Sequence, residues 1–143
     1  MKENKYVIGL DLGGTNAVFG LVDANYEIKA TGSLLTQEYT LATAFVEDAA
    51  EVISELSSVV GGIENIKAIG IGAPCGNYNA GTIEHAANIS WGKGVVPICQ
   101  MLNEKTGIPV AITNDAKAAA LGEMSHGAAK GMKDFIEITL GTG

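Results

Sequence analysis

Basic residues are scarce. Nine Lys and Arg stand against sixteen Asp and Glu in 143 residues, a formal net charge of −7. With no basic patch to displace counterions from a polyanion, nucleic acid is excluded as a broad-surface partner. Cysteine is equally sparse: Cys75 and Cys99 are the only two, which excludes a disulfide scaffold and fits a reduced, cytosolic setting. No apolar run is long enough to span a bilayer, and the polar start 1–5 leads straight into a short apolar run with no signal-peptide core. The expected location is the cytoplasm, with no membrane partner. What the chain has in quantity is apolar side chains, 47% of residues, and 19 glycines. That apolar fraction excludes disorder and supplies one packed core with little left for a second.

Along the chain, residues 6–10 form an apolar run ending at Asp11, Gly13-Gly14 forces a turn, and 17–22 is apolar again. This reads as strand, tight turn, strand. Asp23-Ala24-Asn25 has turn chemistry, and 26–35 reads as a third strand, giving an antiparallel meander of three. From Thr40 the period changes: Leu41, Phe45, Ala49, Val52, Leu56 and Val59 recur at steps of three and four, predicting an amphipathic helix with Thr40 as N-cap and Gly61-Gly62 as stop. Its acidic residues Glu47, Asp48, Glu51 and Glu55 read as a solvated face.

A buried strand over 66–73 follows, reached by a parallel crossover, then an irregular Gly- and Asn-rich loop over 74–94 carrying the only Trp, Trp91. A second helix is expected over 95–106, a short strand over 110–113, an alanine-rich helix over 116–124 and a last strand over 135–140. The expected fold class is therefore α/β, a mixed sheet with three antiparallel and then parallel strands and helices on both faces. The last strand delivers Gly141-Thr142-Gly143 much as the first delivers Gly13-Gly14-Thr15. The expected division is a first domain over 1–133, with 134–143 opening a second.

Three places carry chemistry. A Gly-Gly-Thr turn after a buried strand exposes backbone N–H groups and a hydroxyl suited to phosphate, although a plain hairpin turn also accounts for it. Asp11 shifts the balance. A carboxylate at the end of a buried strand, beside that turn, is suited to orient the waters of a Mg²⁺ that bridges phosphates. Asn114-Asp115, between a strand and a helix, has a bland reading as a helix cap, with Asp in the first turn favouring the helix dipole by about 0.3–1 kcal/mol. The same place, outside the carboxyl ends of the strands, is where open α/β sheets bind ligands, and a carboxylate there can deprotonate a hydroxyl. Two candidate phosphate loops and one base imply phosphoryl transfer to an alcohol.

Four stretches together resemble the amino-terminal half of a bacterial glucokinase of the ROK family (repressors, kinases and open reading frames). They are Asp11-Leu12-Gly13-Gly14-Thr15-Asn16, Gly72-Ala73-Pro74 leading through Asn88-Ile89-Ser90-Trp91, Thr113-Asn114-Asp115-Ala116 running to Gly122-Glu123, and Leu140-Gly141-Thr142-Gly143. The resemblance spans the whole chain and implies an actin-like, ribonuclease-H-like fold of two domains with sugar and ATP meeting in the cleft between them. It implies Asp115 as general base on the sugar hydroxyl, Asn114 and Asn88 as hydrogen-bonding sugar contacts, and Gly13, Gly14, Thr15 and Asn16 as the first phosphate loop. It further implies Asp11 near Mg²⁺, and Gly141, Thr142 and Gly143 as the start of the second phosphate loop. Lys117 stands where the family often has Asn.

The family's zinc motif, its further sugar-binding Glu and His and its adenosine pocket belong to the half beyond Gly143, so no zinc is expected in this chain. Cys75 and Cys99 are too far apart for a paired-ligand motif, and His85 and His126 read as surface or loop residues. The implied activity is ATP-dependent phosphorylation of a hexose, glucose first, by a homodimeric full-length enzyme, this segment being inactive alone. Two alternatives stand beside it. A sugar-sensing ROK regulator would carry a helix-turn-helix domain ahead of the kinase-like part, whereas here the first strand begins within a few residues of Met1. An actin- or heat-shock-chaperone-type ATPase shares the first phosphate loop but gives Asn114-Asp115 no sugar to hold.

Overall fold

The computed structural model describes residues 6–24 and 27–113. The meander forms as expected. β1 (Tyr6–Leu12), β2 (Ala17–Val22) and β3 (Ile28–Leu34) pair antiparallel in chain order. β1 runs two residues past the apolar run, because Asp11 and Leu12 still pair with Val18 and Ala17. The β2–β3 turn is closed by Asp23, whose N–H donates to the Glu27 carbonyl at 3.0 Å and whose Oδ1 accepts the Glu27 N–H at 3.0 Å.

α1 (Ala42–Ser58) starts later than its spacing suggests. The N-cap position belongs to Leu41, which makes no side-chain cap bond, so Thr40 is not the cap: its hydroxyl sits one residue too early. The buried stripe is Phe45, Val46, Ala49, Ile53, Leu56 and Ser57, rotated from the expected one. Leu41 and Val59 flank the helix and stay 62% and 58% exposed. Val52 is half-buried against β3, where only a glycine fits: a Cβ on Gly32 would lie 2.8 Å from Val52 Cγ1. The stop is where the sequence puts it. Gly61 and Gly62 take φ of 97° and 124°, and the Gly62 N–H donates to the Ser57 carbonyl at 2.9 Å.

β4 (Ile66–Gly72) returns beside β1 in parallel, and β8 (Val110–Thr113) adds in parallel to β4, giving the order β3-β2-β1-β4-β8. Between them the expected irregular loop is instead partly ordered as a second, antiparallel sheet of β5 (Gly76–Asn77), β6 (Thr82–Glu84) and β7 (Val95–Val96). Val95 and Val96 therefore open no helix. Pro97 disfavours helical backbone in the residue before it, so α2 begins only at Ile98 and runs to Thr106. Gly107 closes it with φ 75°, its N–H donating to the Asn103 carbonyl at 2.7 Å.

α1 packs on β2 and β3, α2 packs on β8, and the two helices pack on each other, so both lie on one face of the main sheet. Ile8, Leu10, Phe19, Leu21, Ile69 and Ile71 fill the core beneath them. Strand alternation turns Val7, Gly9 and Asp11 to the other face. Register aligns Gly20, Gly9, Gly70 and Ala111 across that face as one row of minimal side chains. The helix expected over 116–124 and the strand over 135–140 lie outside the described residues. Among the described residues no helix is long and apolar enough to cross a membrane.

Candidate active site

The carboxyl ends of β1, β4 and β8 meet in one row. Asp11 pairs with Gly72, and Gly72 pairs with Thr113. Two strand spacings, about 9.6 Å, separate Asp11 from Thr113, with no side chain on the strand between them. Thr113 is the last described residue. Asn114 and Asp115, the expected sugar contact and base, follow it in sequence and lie outside the described residues, as do Lys117, His126, Gly141, Thr142 and Gly143.

Beyond β1, the Gly13 N–H donates to the Asn16 carbonyl at 2.9 Å, closing the turn and leaving Thr15 and Asn16 exposed at its tip. The Gly13 N–H is thus committed within the loop. Gly14 has a different task. A Cβ there would run into the Asn88 carbonyl oxygen and come within 3.1 Å of Asn88 Cβ, so glycine is what allows the two loops to touch. The structure thereby brings Asn88, an exposed residue, against the first candidate phosphate loop. Gly76 plays the same part on the other side: a Cβ would collide with the Thr113 carbonyl, while the Ala73 N–H donates to that carbonyl at 3.1 Å. Three loops therefore converge on the row.

The loop carrying Asn88 is closed by backbone bonds. The Ala86 N–H donates to the Gly92 carbonyl at 2.8 Å, and the Gly92 N–H to the Ile89 carbonyl at 2.9 Å. Trp91 is buried and stacks on Phe45 of α1, with centroids 4.8 Å apart and planes 24° from parallel. Ser90 Oγ donates to the Tyr39 carbonyl at 2.7 Å. Tyr39 meets Phe45 edge-on at 5.4 Å and donates its hydroxyl to Asp48 at 2.6 Å. Burial, assisted by Asp48, pushes the Tyr39 hydroxyl up to about 12. Tyr39 had no signal in the sequence, since it lies in no periodic run and in none of the four motifs.

Among the described residues, two non-glycine residues adopt left-handed backbone, Cys75 at φ 58° and His85 at φ 55°. Both belong to the converging loops and touch, the Glu84 N–H donating to the Cys75 carbonyl at 3.1 Å and Cys75 Sγ to the His85 carbonyl at 3.9 Å. Backbone strain of this kind gathers at ligand sites. His85 is exposed in a loop, as expected, with Nδ1 3.2 Å from the Lys93 carbonyl. Glu84 beside it accepts from Thr82 Oγ1 at 2.6 Å and Asn77 Nδ2 at 3.1 Å, which hold its carboxyl below the usual value. Cys99 is buried, and burial pushes its thiol up to about 11. Among the described residues no three His, Cys, Asp or Glu side chains gather as a metal cage.

In sequence, residues 7–143 match the model of the ROK family. The chain is 38% identical to a glucokinase of Streptomyces coelicolor over 137 residues, covering 95% of this chain and 41% of the relative. It is 35% identical to a glucokinase of Halalkalibacterium halodurans over 144 residues, covering 98% and 42%. It thus spans about two fifths of the length of these relatives. In structure it resembles a ROK family glucokinase from Streptomyces griseus solved in complex with glucose and AMPPNP, with TM-score 0.66 and 32% identity over 88% of this chain and 38% of that one. A ROK hexokinase from Thermus thermophilus gives TM-score 0.64 and 34% identity over 88% and 40%. These are actin-like ATPase folds, and the mixed sheet described above is theirs. With its four motifs in order and its sheet in the same arrangement, the chain belongs to the ROK family.

Proposed function

We propose that the full-length protein carrying this chain transfers the γ-phosphoryl group of ATP to a hexose, glucose first, and that this segment forms the sugar side of the cleft. The observation that supports this most is the contact of Gly14 with Asn88 beside the Asp11–Gly72–Thr113 row, which joins a candidate phosphate loop to a candidate sugar loop. Relatives named glucokinase, and a structural neighbour solved with glucose and AMPPNP, support the choice of sugar and nucleotide.

In this reading Asn88 and Asn114 accept and donate hydrogen bonds to sugar hydroxyls, and Asp115 takes the proton of the attacking hydroxyl. Thr15, Asn16 and Gly14 cradle phosphate, with Gly141, Thr142 and Gly143 opening a second cradle. Asp11 fits a Mg²⁺ site of the kind that uses one or two carboxylates and keeps its waters, and the ion would neutralise phosphate charge there. Positioning and charge neutralisation supply most of the rate in phosphoryl transfer, so half a cleft would not turn over. Residues 134–143 open the second domain, where zinc and the remaining sugar contacts of the family would lie. A cytoplasmic homodimer completes the proposal.

The test is Asp115→Asn in the full-length protein. A positioned base contributes about a hundredfold to ten-thousandfold, so kcat falls by at least about a hundredfold while sugar binding survives. Near-normal turnover by this variant refutes the assignment.

A further inference from the structure

Asn88 is held from two sides. On one, its backbone abuts Gly14. On the other, Ser90 two residues later donates to the Tyr39 carbonyl at 2.7 Å, and Trp91 stacks on Phe45. The Tyr39 segment is itself tied to the phosphate loop, because the Gln37 N–H donates to the Thr15 carbonyl at 3.4 Å. The contacts close a ring: Thr15 to Gln37, Tyr39 to Ser90, Asn88 to Gly14. Tyr39 is anchored in turn on α1 through Asp48 and Phe45.

We infer that Ser90 is a positioning residue for the sugar contact, with the Tyr39 carbonyl as its anchor, so that α1 and the phosphate loop together set where Asn88 stands. The inference rests on the kinase reading above and extends it to a residue with no chemistry of its own. Asn88 is exposed and sits on a loop of few residues, so its own backbone bonds define the loop's shape but not its tilt against Gly14. The Ser90 bond spans 51 residues of sequence and, beside the Trp91–Phe45 stack, ties the loop to the Tyr39 segment, which helps fix the tilt. Losing it lets Asn88 sample positions off the sugar, a cost paid on sugar binding and not on phosphate transfer.

The experiment is a steady-state comparison of wild type, Ser90→Ala and Ser90→Thr in the full-length protein, with glucose and ATP varied separately. A single intramolecular hydrogen bond of ordinary net strength sets the scale. Ser90→Ala raises the glucose KM about threefold to tenfold, with kcat and the ATP KM within about twofold of wild type. Ser90→Thr keeps the hydroxyl, has room for its methyl at an exposed position, and restores the glucose KM. Ser58→Ala removes a comparable serine-to-carbonyl bond, Ser58 Oγ to the Glu55 carbonyl at 2.6 Å, at the far end of α1 and leaves the glucose KM unchanged. An unchanged glucose KM in Ser90→Ala, a fall confined to kcat, or no rescue by Thr overturns the inference while leaving the kinase reading in place. Absence of glucose-dependent ADP formation by the wild type overturns both.

Discussion

Gly14→Ala probes the close approach between the first candidate phosphate loop and the Asn88 loop. The Gly14 φ lies outside the left-handed region, so alanine meets no backbone strain and the whole cost is steric. The added methyl would overlap the Asn88 carbonyl oxygen and crowd Asn88 Cβ at 3.1 Å and Asn88 C at 3.2 Å. Two of those three atoms are backbone, which cannot turn aside as a flexible side chain does. Overpacking of this kind costs about 1–3 kcal/mol. The cost emerges in one of two ways. If the loops stay together, stability falls by that amount, read as a lower urea midpoint at constant slope. If they part, Asn88 leaves its place and the sugar KM rises, by about fivefold to a hundred-and-fiftyfold for the same free energy. Gly94→Ala is the control, since a Cβ there has nothing within 4 Å and the glycine sits near the same loop. A Gly14→Ala protein as stable as Gly94→Ala, with an unchanged sugar KM, refutes the reasoning.

Two further outcomes follow from the loops around this contact. At Cys75, φ 58° penalises β-branched side chains most, so Cys75→Val lowers stability by about 1–2 kcal/mol while Cys75→Gly is neutral or stabilising. A melting temperature for the Val variant at or above that of the Gly variant contradicts this. Tyr39 titrates at about 12 in the folded chain against an ordinary 10.0, so the fold holds the neutral phenol. Its contribution to stability is complete below pH 10 and is lost as pH rises towards 12. The phenolate absorbance step that disappears in Tyr39→Phe lies near 12; a missing step near 10 contradicts the assignment.

Much of the sheet is legible in the sequence because its strands are apolar runs cut by turn residues. β2 and β8 have the bounds their runs predict, and β4 ends one residue short of its run. The small sheet is not legible, because strands such as Gly76–Asn77 are too short to show alternation and contain residues typical of turns. The start of α1 misleads for a local reason: Thr40 has cap chemistry, yet the backbone turns helical only after Leu41. In the candidate site, motif chemistry and family likeness single out Asp11, Gly13 to Asn16 and Asn88 as candidates. That Gly14 and Asn88 touch was not, since nothing in either stretch encodes a partner 74 positions away in a different loop. The tie between Ser90 and Tyr39 escaped for the same cause, being made to a main-chain carbonyl that any residue would supply.

The place of β1 in the sheet order bears on how the chain is made. One side of β1 finds β2 almost at once, but the other waits for β4, from Tyr6 to Ile66. At a ribosomal rate of about 5–20 residues per second, that interval lasts about 3–12 s. Throughout it the nascent meander carries an uncovered edge of peptide groups flanked by Val7, Ile8 and Leu10, open to pairing with a neighbouring polypeptide. Translation that stalls before Ile66 would leave that edge sticky, and an early-terminated product would be prone to aggregate through it.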